Sequence, residues 1–275
     1  MSTINCKGKL IDLSQPRVMG ILNLTPDSFY DGGKYSSEKS ILEKVETMLL
    51  EGATFIDIGG YSSRPGAKHI EEEEELKRVL SGINLVLKHF PETIISIDTF
   101  RGSVAKKAIE AGAALVNDIS AGNLDEKMFK TVAELQVPYI MMHMPGSPQT
   151  MQKFTHYEDI IQDIILYFSK KIVELRELQL NDLIIDVGFG FGKTLEQNYL
   201  LLKKLSVFKI LEVPILAGLS RKSMLYKTVA INQEEALNAT SIANTLALTN
   251  GANILRVHDV KEAVECIKIF EKYNA

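Results

Sequence analysis

Polar residues that could do chemistry recur at the ends of short apolar runs in this sequence. Each run leads into an acid, an amide or a base, and the series is Asn23, Asp57, Asp98, Asn117 with Asp118, His143, Asp186, Ser220 with Lys222, and Arg256 with His258. If the runs are parallel strands of a barrel, their carboxyl ends lie on one rim, where active sites of barrels are built. The pattern therefore predicts one polar cavity lined by acids, amides and cations.

The cations of this series gather at the ends of the last two runs. Lys222 follows the seventh run, Arg256 and His258 end the eighth, and Arg64 lies on an early loop. Guanidinium groups bind phosphate oxygens in pairs, whereas lysine acts as a point charge. Barrels also often bind phosphate between these two strands. The set predicts a strongly anionic ligand such as a diphosphate, with surface salt bridges as the alternative for Arg256 and His258.

The acids and amides predict a second kind of recognition. Asp98, Asn117 and Asp186 end runs three, four and six. A carboxylate accepts two parallel N–H bonds, and an amide both donates and accepts, so this set suits a nitrogen-rich ring. Acid–base chemistry, metal binding and helix capping by the two acids are the alternatives. Asn23 could hold Mg²⁺ through its amide oxygen, although its residue type alone favours a turn.

The stretch GFGFGK (188–193) is tested against two nucleotide-binding patterns. It fits neither the phosphate loop nor the dinucleotide fingerprint, because glycines are missing at the required positions. It is interpreted as a tight turn that brings Phe191 over a strand end. His143 has no second ligand at metal spacing, which favours a structural role.

Elements that would position these residues alternate along the chain. The apolar runs predict eight buried parallel strands: Val18–Leu22, Phe55–Ile58, Ile94–Ile97, Ala114–Val116, Pro138–Met142, Leu183–Ile185, Pro214–Ala217 and Ile254–Val257. Segments of helical period separate them, and the repeat of about 34 residues is that of one β/α unit. We predict an α/β fold of the (β/α)8 TIM-barrel class as one domain over residues 1–275, with a doubly wound open sheet as the alternative.

Four further segments carry expectations of their own. Residues 2–13 predict a hairpin that closes the bottom of the barrel. The acidic run Glu71–Glu75 is interpreted as the solvated first turn of a helix. The long polar loops 25–36 and 61–68 lie on the functional rim and are expected to cover the site, since loops at this face often do.

Composition limits the classes of function. The chain has 275 residues, 45% of them hydrophobic, and a net charge of −4, so nothing favours binding to nucleic acid. No apolar run approaches the length of a membrane span, and the first residues contain no apolar signal-peptide core, so we expect a cytoplasmic protein. Cys6 and Cys266 have no metal-ligand spacing and are expected to be reduced, without a role.

Taken together, eight segments resemble the dihydropteroate synthases, a family of pterin-binding barrels. They are MGILNLTPDSFYDGG (19–33), DIGGYSSRPGA (57–67), ISIDT (95–99), NDIS (117–120), MHMPGSPQTMQ (142–152), DVGFGFGK (186–193), GLSRKSM (218–224) and RVHDVKE (256–262). They follow the family order nearly from end to end. Two positions depart from the commonest bacterial pattern, with Tyr61 in place of glutamate and Val187 in place of proline.

The resemblance implies a role for each matching residue. Asp98, Asn117 and Asp186 would hold a dihydropterin ring, with Lys222 at its carbonyl side. A diphosphate would be surrounded by Asn23, Arg64, Arg256 and His258, and Asn23 would hold Mg²⁺. The pocket for 4-aminobenzoate would be built by Phe191, Lys222 and Ser223 with the loop residues Phe29, Ser63 and Pro65. The residues expected to act in catalysis are Asp98, Lys222, Arg256 and His258.

The activity implied by the resemblance belongs to folate biosynthesis. A dihydropteroate synthase, which is a transferase, joins 6-hydroxymethyl-7,8-dihydropterin diphosphate to 4-aminobenzoate and releases diphosphate. The family also implies a homodimer and competition by sulfonamides. The alternatives are a Schiff-base enzyme using Lys222, a pterin-dependent methyltransferase relative, and a non-catalytic pterin-binding protein.

Overall fold

Eight parallel strands form a closed barrel in this chain. A computed structural model describes residues 3–24, 34–62 and 70–275, with side chains of the first helix described from residue 38 onward. The strands are β3 (Arg17–Asn23), β4 (Phe55–Gly59), β5 (Ile94–Asp98), β6 (Leu115–Asp118), β7 (Tyr139–Met142), β8 (Leu183–Asp186), β9 (Ile215–Ala217) and β10 (Ile254–Val257). They pair in the order β10-β3-β4-β5-β6-β7-β8-β9, and β10 closes the ring onto β9 and β3. The prediction of a (β/α)8 barrel is confirmed, and the open sheet is excluded by this closure.

Helices follow the strands around the outside of the barrel. They are α1 (Lys34–Leu50), α2 (Glu72–His89), α3 (Gly102–Glu110), α4 (Met128–Leu135), α5 (Ile160–Glu177), α6 (Leu195–Lys203), α7 (Ser223–Thr228), α8 (Leu237–Thr249) and α9 (Val260–Asn274). Short 3₁₀ helices cover Met151–Lys153 and Leu205–Leu211. In the described part of the chain, no helix combines the length and apolar character needed to cross a bilayer.

Local sequence signals fix where individual helices begin. Asp159 accepts hydrogen bonds from the backbone N–H groups of Ile161 and Gln162 at the start of α5. Thr194 and Gln197 form a reciprocal capping box at the start of α6. Such caps satisfy N–H groups that have no partner within the helix. They fix the residues at which α5 and α6 begin.

A hairpin closes the bottom of the barrel, as predicted from residues 2–13. Strands β1 (Thr3–Cys6) and β2 (Lys9–Asp12) pair antiparallel. Their inward side chains pack on the first inward residue of each barrel strand, and the cluster contains Ile4, Cys6, Ile11, Leu13, Met19, Phe55, Ile94, Ala114, Leu115, Ile140, Ile184, Leu216 and Ile254. This apolar layer seals one end of the barrel and leaves the opposite end for the polar residues.

The interpretation of the acidic run as a solvated first turn is confirmed for the exposed Glu71–Glu74 and wrong for Glu75. Glu72–Glu75 do form the first turn of α2, but the side chain of Glu75 is fully buried rather than solvated. It accepts hydrogen bonds from the hydroxyl of Thr99 at 2.6 Å and from the guanidinium of Arg101. A carboxylate can be buried where a cation and hydrogen-bond donors compensate it. Arg101, the cation that pairs with Glu75, lies 26 residues away in the chain, so the acidic run itself gave no sign of this pair.

Candidate active site

The polar rim follows from the two-residue alternation of the strands. The apolar bottom layer contains Met19, Phe55, Ile94, Leu115, Ile184 and Ile254, all facing the barrel interior. Two or four residues further along the same strands lie Asn23, Asp57, Gly59, Asp98, Asn117, Asp186 and Arg256. Because side chains at even spacing lie on the same face of a strand, these residues also face the interior. Six of these seven positions are polar, and they lie one or two layers above the apolar floor.

Arg256 lies at the centre of a hydrogen-bonded network among these residues. Its Nε donates to Asp57 Oδ2 at 2.6 Å, and its Nη2 donates to Asp98 Oδ2 at 2.6 Å. Asn117 Nδ2 donates to the same Asp57 oxygen at 3.0 Å. Strands β10, β4, β5 and β6 are thus connected across the interior of the barrel.

The electrostatics of this network follow from burial. Removal from water raises the pKa of Asp98 to about 7, with the nearby Asp57 acting in the same direction and Arg256 in the opposite one. The two carboxylates more than compensate the burial of Arg256, so its pKa is raised and it remains a cation. The charge of Asp98 is therefore sensitive near neutral pH to the loss or gain of a partner.

Asn23 and Asp98 present oxygens to a common space beside Gly59. A β-carbon at Gly59 would lie 3.6 Å from Asp98 Oδ2 and 3.7 Å from Asn23 Oδ1. Glycine leaves this space free of a side chain. One amide oxygen and one carboxylate oxygen suit Mg²⁺, which retains water and shares substrate phosphates. No cluster of three or more His, Cys, Asp or Glu ligands occurs among the described residues, so a cage made of protein ligands alone is not formed there.

Asp186 and Lys222 face a second such space, beside Gly218. A β-carbon at Gly218 would lie 3.7 Å from Asp186 Oδ2 and 3.9 Å from Lys222 Nζ. Asp186 Oδ1 accepts the backbone N–H of Gly188 at 2.8 Å, which fixes the carboxylate and leaves Oδ2 toward the interior. Burial raises the pKa of Asp186, and Lys222 opposes that shift. A hydrogen-bond acceptor, Asp186, and a cation, Lys222, therefore lie next to each other at this position.

Lys222 is held by the glycine-rich turn. Its Nζ donates to the carbonyl oxygen of Phe189 and lies 4.8 Å from the centre of the Phe191 ring. Burial lowers the pKa of Lys222 to about 8, while Asp186 acts in the opposite direction. The expectation that the turn brings Phe191 to the strand ends is confirmed by this contact.

The turn itself is held by a buried lysine. Lys193 Nζ donates to the carbonyl oxygens of Phe191 at 2.9 Å and His143 at 3.2 Å, and lies 3.1 Å from His143 Nδ1. Burial and the charge of Lys193 lower the pKa of His143 to about 2. His143 is therefore a neutral acceptor, in agreement with the structural role predicted for it.

His258 and Arg221 have separate partners. The backbone N–H of His258 donates to Ser220 Oγ at 3.1 Å, and the same hydroxyl lies 2.9 Å from His258 Nδ1. Burial lowers the pKa of His258 to about 4, so the ring is neutral near pH 7. Arg221 forms a bidentate pair with Asp259 at 2.8 and 2.9 Å. It therefore stabilises the loops after β9 and β10, and the rim cations in the described part of the chain are Lys222 and Arg256.

The site residues predicted from the sequence fall into three groups in the structure. The structure brings together Asn23, Asp98, Asn117, Asp186, Phe191, Lys222, Arg256 and His258 at the carboxyl ends of the strands. Ser223 begins α7 directly after Lys222 and is exposed. Phe29, Ser63, Arg64 and Pro65, like most of loops 25–36 and 61–68, lie outside the described residues.

Two residues of the site were not predicted from the sequence. Asp57 was recognised as a polar strand residue but given no role, and Lys193 was considered only as a failed motif position. A charged residue inside the apolar strand FIDIG was the available signal for Asp57, because such residues are seldom buried without a partner. Lys193 carried no comparable signal, since its three acceptors are created by the fold.

The two departures from the commonest family pattern have local explanations. The hydroxyl of Tyr61 accepts a hydrogen bond from Gln149 Nε2 at 2.9 Å, and its ring packs edge-on against Phe100 with 5.1 Å between centres. Val187 is fully buried in the main hydrophobic core. Both side chains therefore contribute to packing around the rim.

Comparison with known proteins identifies the family. The family model described as pterin binding enzyme matches residues 19–258. Dihydropteroate synthase of Escherichia coli K12 is 40% identical over 267 residues, covering 96% of this chain and 94% of the relative. The chain belongs to the dihydropteroate synthase family. Dihydropteroate synthases are transferases, and nearly the whole length of this chain is shared with this relative.

Solved dihydropteroate synthases have the same fold as this chain. The Yersinia pestis dihydropteroate synthase, described in a sulfonamide drug complex, has a TM-score of 0.92 and 39% identity and covers 99% of both chains. The Xanthomonas albilineans dihydropteroate synthase, described with 4-aminobenzoic acid, has a TM-score of 0.92 and 36% identity over 100% of this chain and 98% of its own. The barrel fold is thus shared with these members of the family.

Proposed function

We propose that this chain condenses 6-hydroxymethyl-7,8-dihydropterin diphosphate with 4-aminobenzoate to give 7,8-dihydropteroate and diphosphate, and that residues 1–275 act as one pterin-binding domain. The observation that carries the proposal is the rim, where ring acceptors and cations meet above an apolar floor. Asn117 and Asp186 supply the acceptors, and Lys222 and Arg256 supply the positive charge. Family membership over nearly the whole chain supports the same reaction.

The pterin ring is recognised by the deep acids and amide. Asp186 Oδ2 accepts N–H groups of the ring, while Lys222 beside it donates to the ring carbonyl oxygen. Asn117 on β6, two strands away from Asp186 on β8, adds a donor and an acceptor. Binding these groups in a site shielded from water strengthens each hydrogen bond. The carboxylates also stabilise positive charge that develops on the ring as the diphosphate departs.

The diphosphate site would combine rim cations with a residue that holds Mg²⁺. Arg256 and His258 lie at the end of β10, and Arg64 is proposed to join them. The amide oxygen of Asn23 beside Gly59 would hold Mg²⁺. Bound there, Mg²⁺ would neutralise negative charge on the leaving group. His258, neutral near pH 7 because burial and Arg256 lower its pKa, can accept or donate a hydrogen bond without adding charge.

Bond formation needs no nucleophile from the protein. The amine nitrogen of 4-aminobenzoate bonds to the CH₂ carbon as the carbon–oxygen bond to diphosphate breaks, and the amine proton is released to water. Lys222 orients the pterin ring, because its Nζ is held in place by the carbonyl oxygen of Phe189. The pocket for 4-aminobenzoate is formed by Phe191 and Ser223 with Phe29, Ser63 and Pro65 from the loops.

The direct test is synthesis by purified protein. The protein is mixed with the pterin diphosphate, 4-aminobenzoate and Mg²⁺, and dihydropteroate is measured by chromatography. The matched control is Lys222→Met, which should abolish most product while leaving thermal unfolding similar. Treatment with borohydride in the presence of substrate should trap no covalent adduct. A trapped adduct on Lys222, or product without Mg²⁺ at full rate, would contradict the mechanism.

Sulfonamides are proposed to compete with 4-aminobenzoate in the same pocket. They share its ring and amine, and the Yersinia pestis relative is described in a sulfonamide drug complex. Steady-state inhibition at several 4-aminobenzoate concentrations tests this proposal. Inhibition that high 4-aminobenzoate fails to relieve would place the drug elsewhere.

The protein is proposed to act as a cytoplasmic homodimer. Exposed apolar side chains lie on neighbouring helices α8 and α9, namely Ile242, Leu246, Ile269 and Tyr273, which are 46–82% exposed. Apolar surface of this kind is typical of an interface between identical subunits. Both cysteines are free and buried, as expected in a reducing compartment. Sedimentation of the protein and of Leu246→Lys tests the dimer, and the variant should sediment as a monomer.

A further inference from the structure

Asp57 is the most deeply buried charged residue in contact with the rim cations. Its side chain is fully buried on β4, two residues before the strand ends. One oxygen, Oδ2, accepts both from Arg256 Nε at 2.6 Å and from Asn117 Nδ2 at 3.0 Å. Among the described residues, no hydrogen-bond donor reaches the other oxygen, Oδ1. A fully buried carboxylate with only these two donors is costly, which is unexpected unless its contacts serve the site.

The two carboxylates that bind Arg256 differ in place and in the atom that they hold. Asp57 holds Nε, next to the aliphatic part of the side chain, and is wholly buried, whereas Asp98 holds the terminal Nη2 and is 15% exposed. A contact at Nε fixes the base of the guanidinium plane. A contact at Nη2 lies at its outer edge, beside the space shared with Asn23. Asp98 is thus placed to exchange Arg256 for another partner, and Asp57 is not.

We infer that Asp57 is a positioning residue that keeps Arg256 and Asn117 in place while Asp98 exchanges its contact with Arg256 for a contact with substrate. The inference rests on the proposed function for the roles of Arg256 and Asn117. Asp57 itself reaches the substrate only through these two side chains. It therefore orients one cation and one amide at the same time. The contact with Arg256 is charge-assisted, and such contacts are specific in their geometry.

The first experiment observes Arg256 directly and needs no activity. In protein with ¹⁵N-labelled arginine, the Nε–H resonance of Arg256 is identified by its loss in Arg256→Met. In Asp57→Asn, this proton should exchange with water at least about tenfold faster, since loss of one charge-assisted bond changes an opening equilibrium by that order. In Asp98→Asn, which removes only the Nη2 partner, exchange should change less than about threefold. Equal effects of the two variants would overturn the inference.

The second experiment asks whether Asp57 acts through Arg256. Asp57→Asn should lower kcat/KM about 10- to 100-fold in the wild-type background. In the Arg256→Met background the same change should lower kcat/KM by a factor at least threefold smaller, because only the contact with Asn117 remains to be lost. Equal factors in both backgrounds would overturn the inference.

Controls separate this role from folding and from the proposed function. Asp182→Asn makes the same chemical change at the opposite end of the barrel, where Asp182 Oδ2 accepts the N–H of Asn5, and should leave both readouts unchanged. If Asp57→Asn unfolds, Asp57→Glu is measured in its place: it keeps the charge but displaces the carboxylate, so Nε–H exchange should be faster than in the wild type, and exchange at the wild-type rate would overturn the inference. If the wild-type protein makes no dihydropteroate, the proposed reaction fails, and the exchange experiment still decides the role of Asp57.

Discussion

Functional side chains on the rim are held by other groups of the protein. Arg256 is bound by two carboxylates, Lys222 by the carbonyl oxygen of Phe189, and His258 by Ser220. In a site with little water, such contacts fix both the orientation and the protonation of each group. Orientation before binding lowers the cost of forming the reactive arrangement. The residues that hold the functional groups are therefore as important as the groups themselves.

At the residue scale, Asp186→Asn should weaken pterin binding while leaving the fold intact. The change replaces an acceptor with an amide at the oxygen that faces the site, and Oδ1 can still accept from Gly188. A ring N–H left without an acceptor costs about 1–3 kcal/mol, which corresponds to roughly 5- to 150-fold in affinity. Calorimetry with a pterin ligand measures this loss, and thermal unfolding is the control. Unchanged affinity would refute the role of Asp186.

His143 gives a prediction on acid stability. Its folded pKa is about 2 because of burial and Lys193, whereas an exposed histidine titrates near 6.5. Below about pH 6.5 the unfolded chain therefore binds a proton that the folded chain does not. The free energy of unfolding should fall with decreasing pH, by up to about 1.4 kcal/mol per unit from this group.

His143→Gln keeps an acceptor for Lys193 and removes this titration. Urea unfolding is measured at pH 7.5, 6.0 and 5.0. As the pH falls, the free energy of unfolding of the variant should increase relative to that of the wild type. His258, whose folded pKa is about 4, acts in the same direction in both proteins and cancels in the comparison. Parallel pH curves for the two proteins would contradict the prediction.

At the scale of one element, the turn 188–193 depends on glycine geometry. Gly188 has φ of +70°, and an added β-carbon would overlap the carbonyl oxygen of His143. Gly188→Ala should therefore destabilise the protein by about 1–2 kcal/mol from left-handed strain and about 1–3 kcal/mol from overlap. It should also raise KM for 4-aminobenzoate, because the turn carries Phe191.

A matched glycine separates strain from overlap. Gly8, in the hairpin at the bottom of the barrel, has φ of +85°, and an added β-carbon would meet no atom within 4 Å. Gly8→Ala should show only the strain, about 1–2 kcal/mol, and no change in KM. Urea unfolding and steady-state kinetics of both variants test this difference. Equal destabilisation by the two changes would show that overlap at Gly188 is absent.

Periodicity predicted elements better than it predicted contacts. The apolar runs located all eight barrel strands, with small differences such as β6, which extends through Asn117 and Asp118 instead of ending before them. An apolar run reports burial on both faces, which is a local property. The pairing of Glu75 with Arg101, and of Asp57 with Arg256, depends on distances across the fold. Local patterns contain no information on such partners.

At the scale of the whole molecule, stability and chemistry lie at opposite ends of the barrel. The hairpin and the first inward residues of the strands form an apolar floor, while the polar network lies one layer above it. The acids and cations of the rim are buried at a cost, and partners offset that cost only in part. The apolar floor contributes the compensating free energy without constraining the rim, since burial of apolar area is favourable wherever it occurs.

This separation predicts that Ile4→Ala reduces stability without changing catalysis. Ile4 is 2% exposed and packs in the apolar floor, so truncation should cost about 2–5 kcal/mol. The matched control is Leu10→Ala in the same hairpin, because Leu10 is 70% exposed and its truncation should cost less than about 0.5 kcal/mol. Urea unfolding measures both changes, and KM for each substrate should equal that of the wild type within about twofold. If Ile4→Ala raised KM at a temperature where the protein stays folded, the floor would be coupled to the rim, and the two ends of the barrel would not be independent.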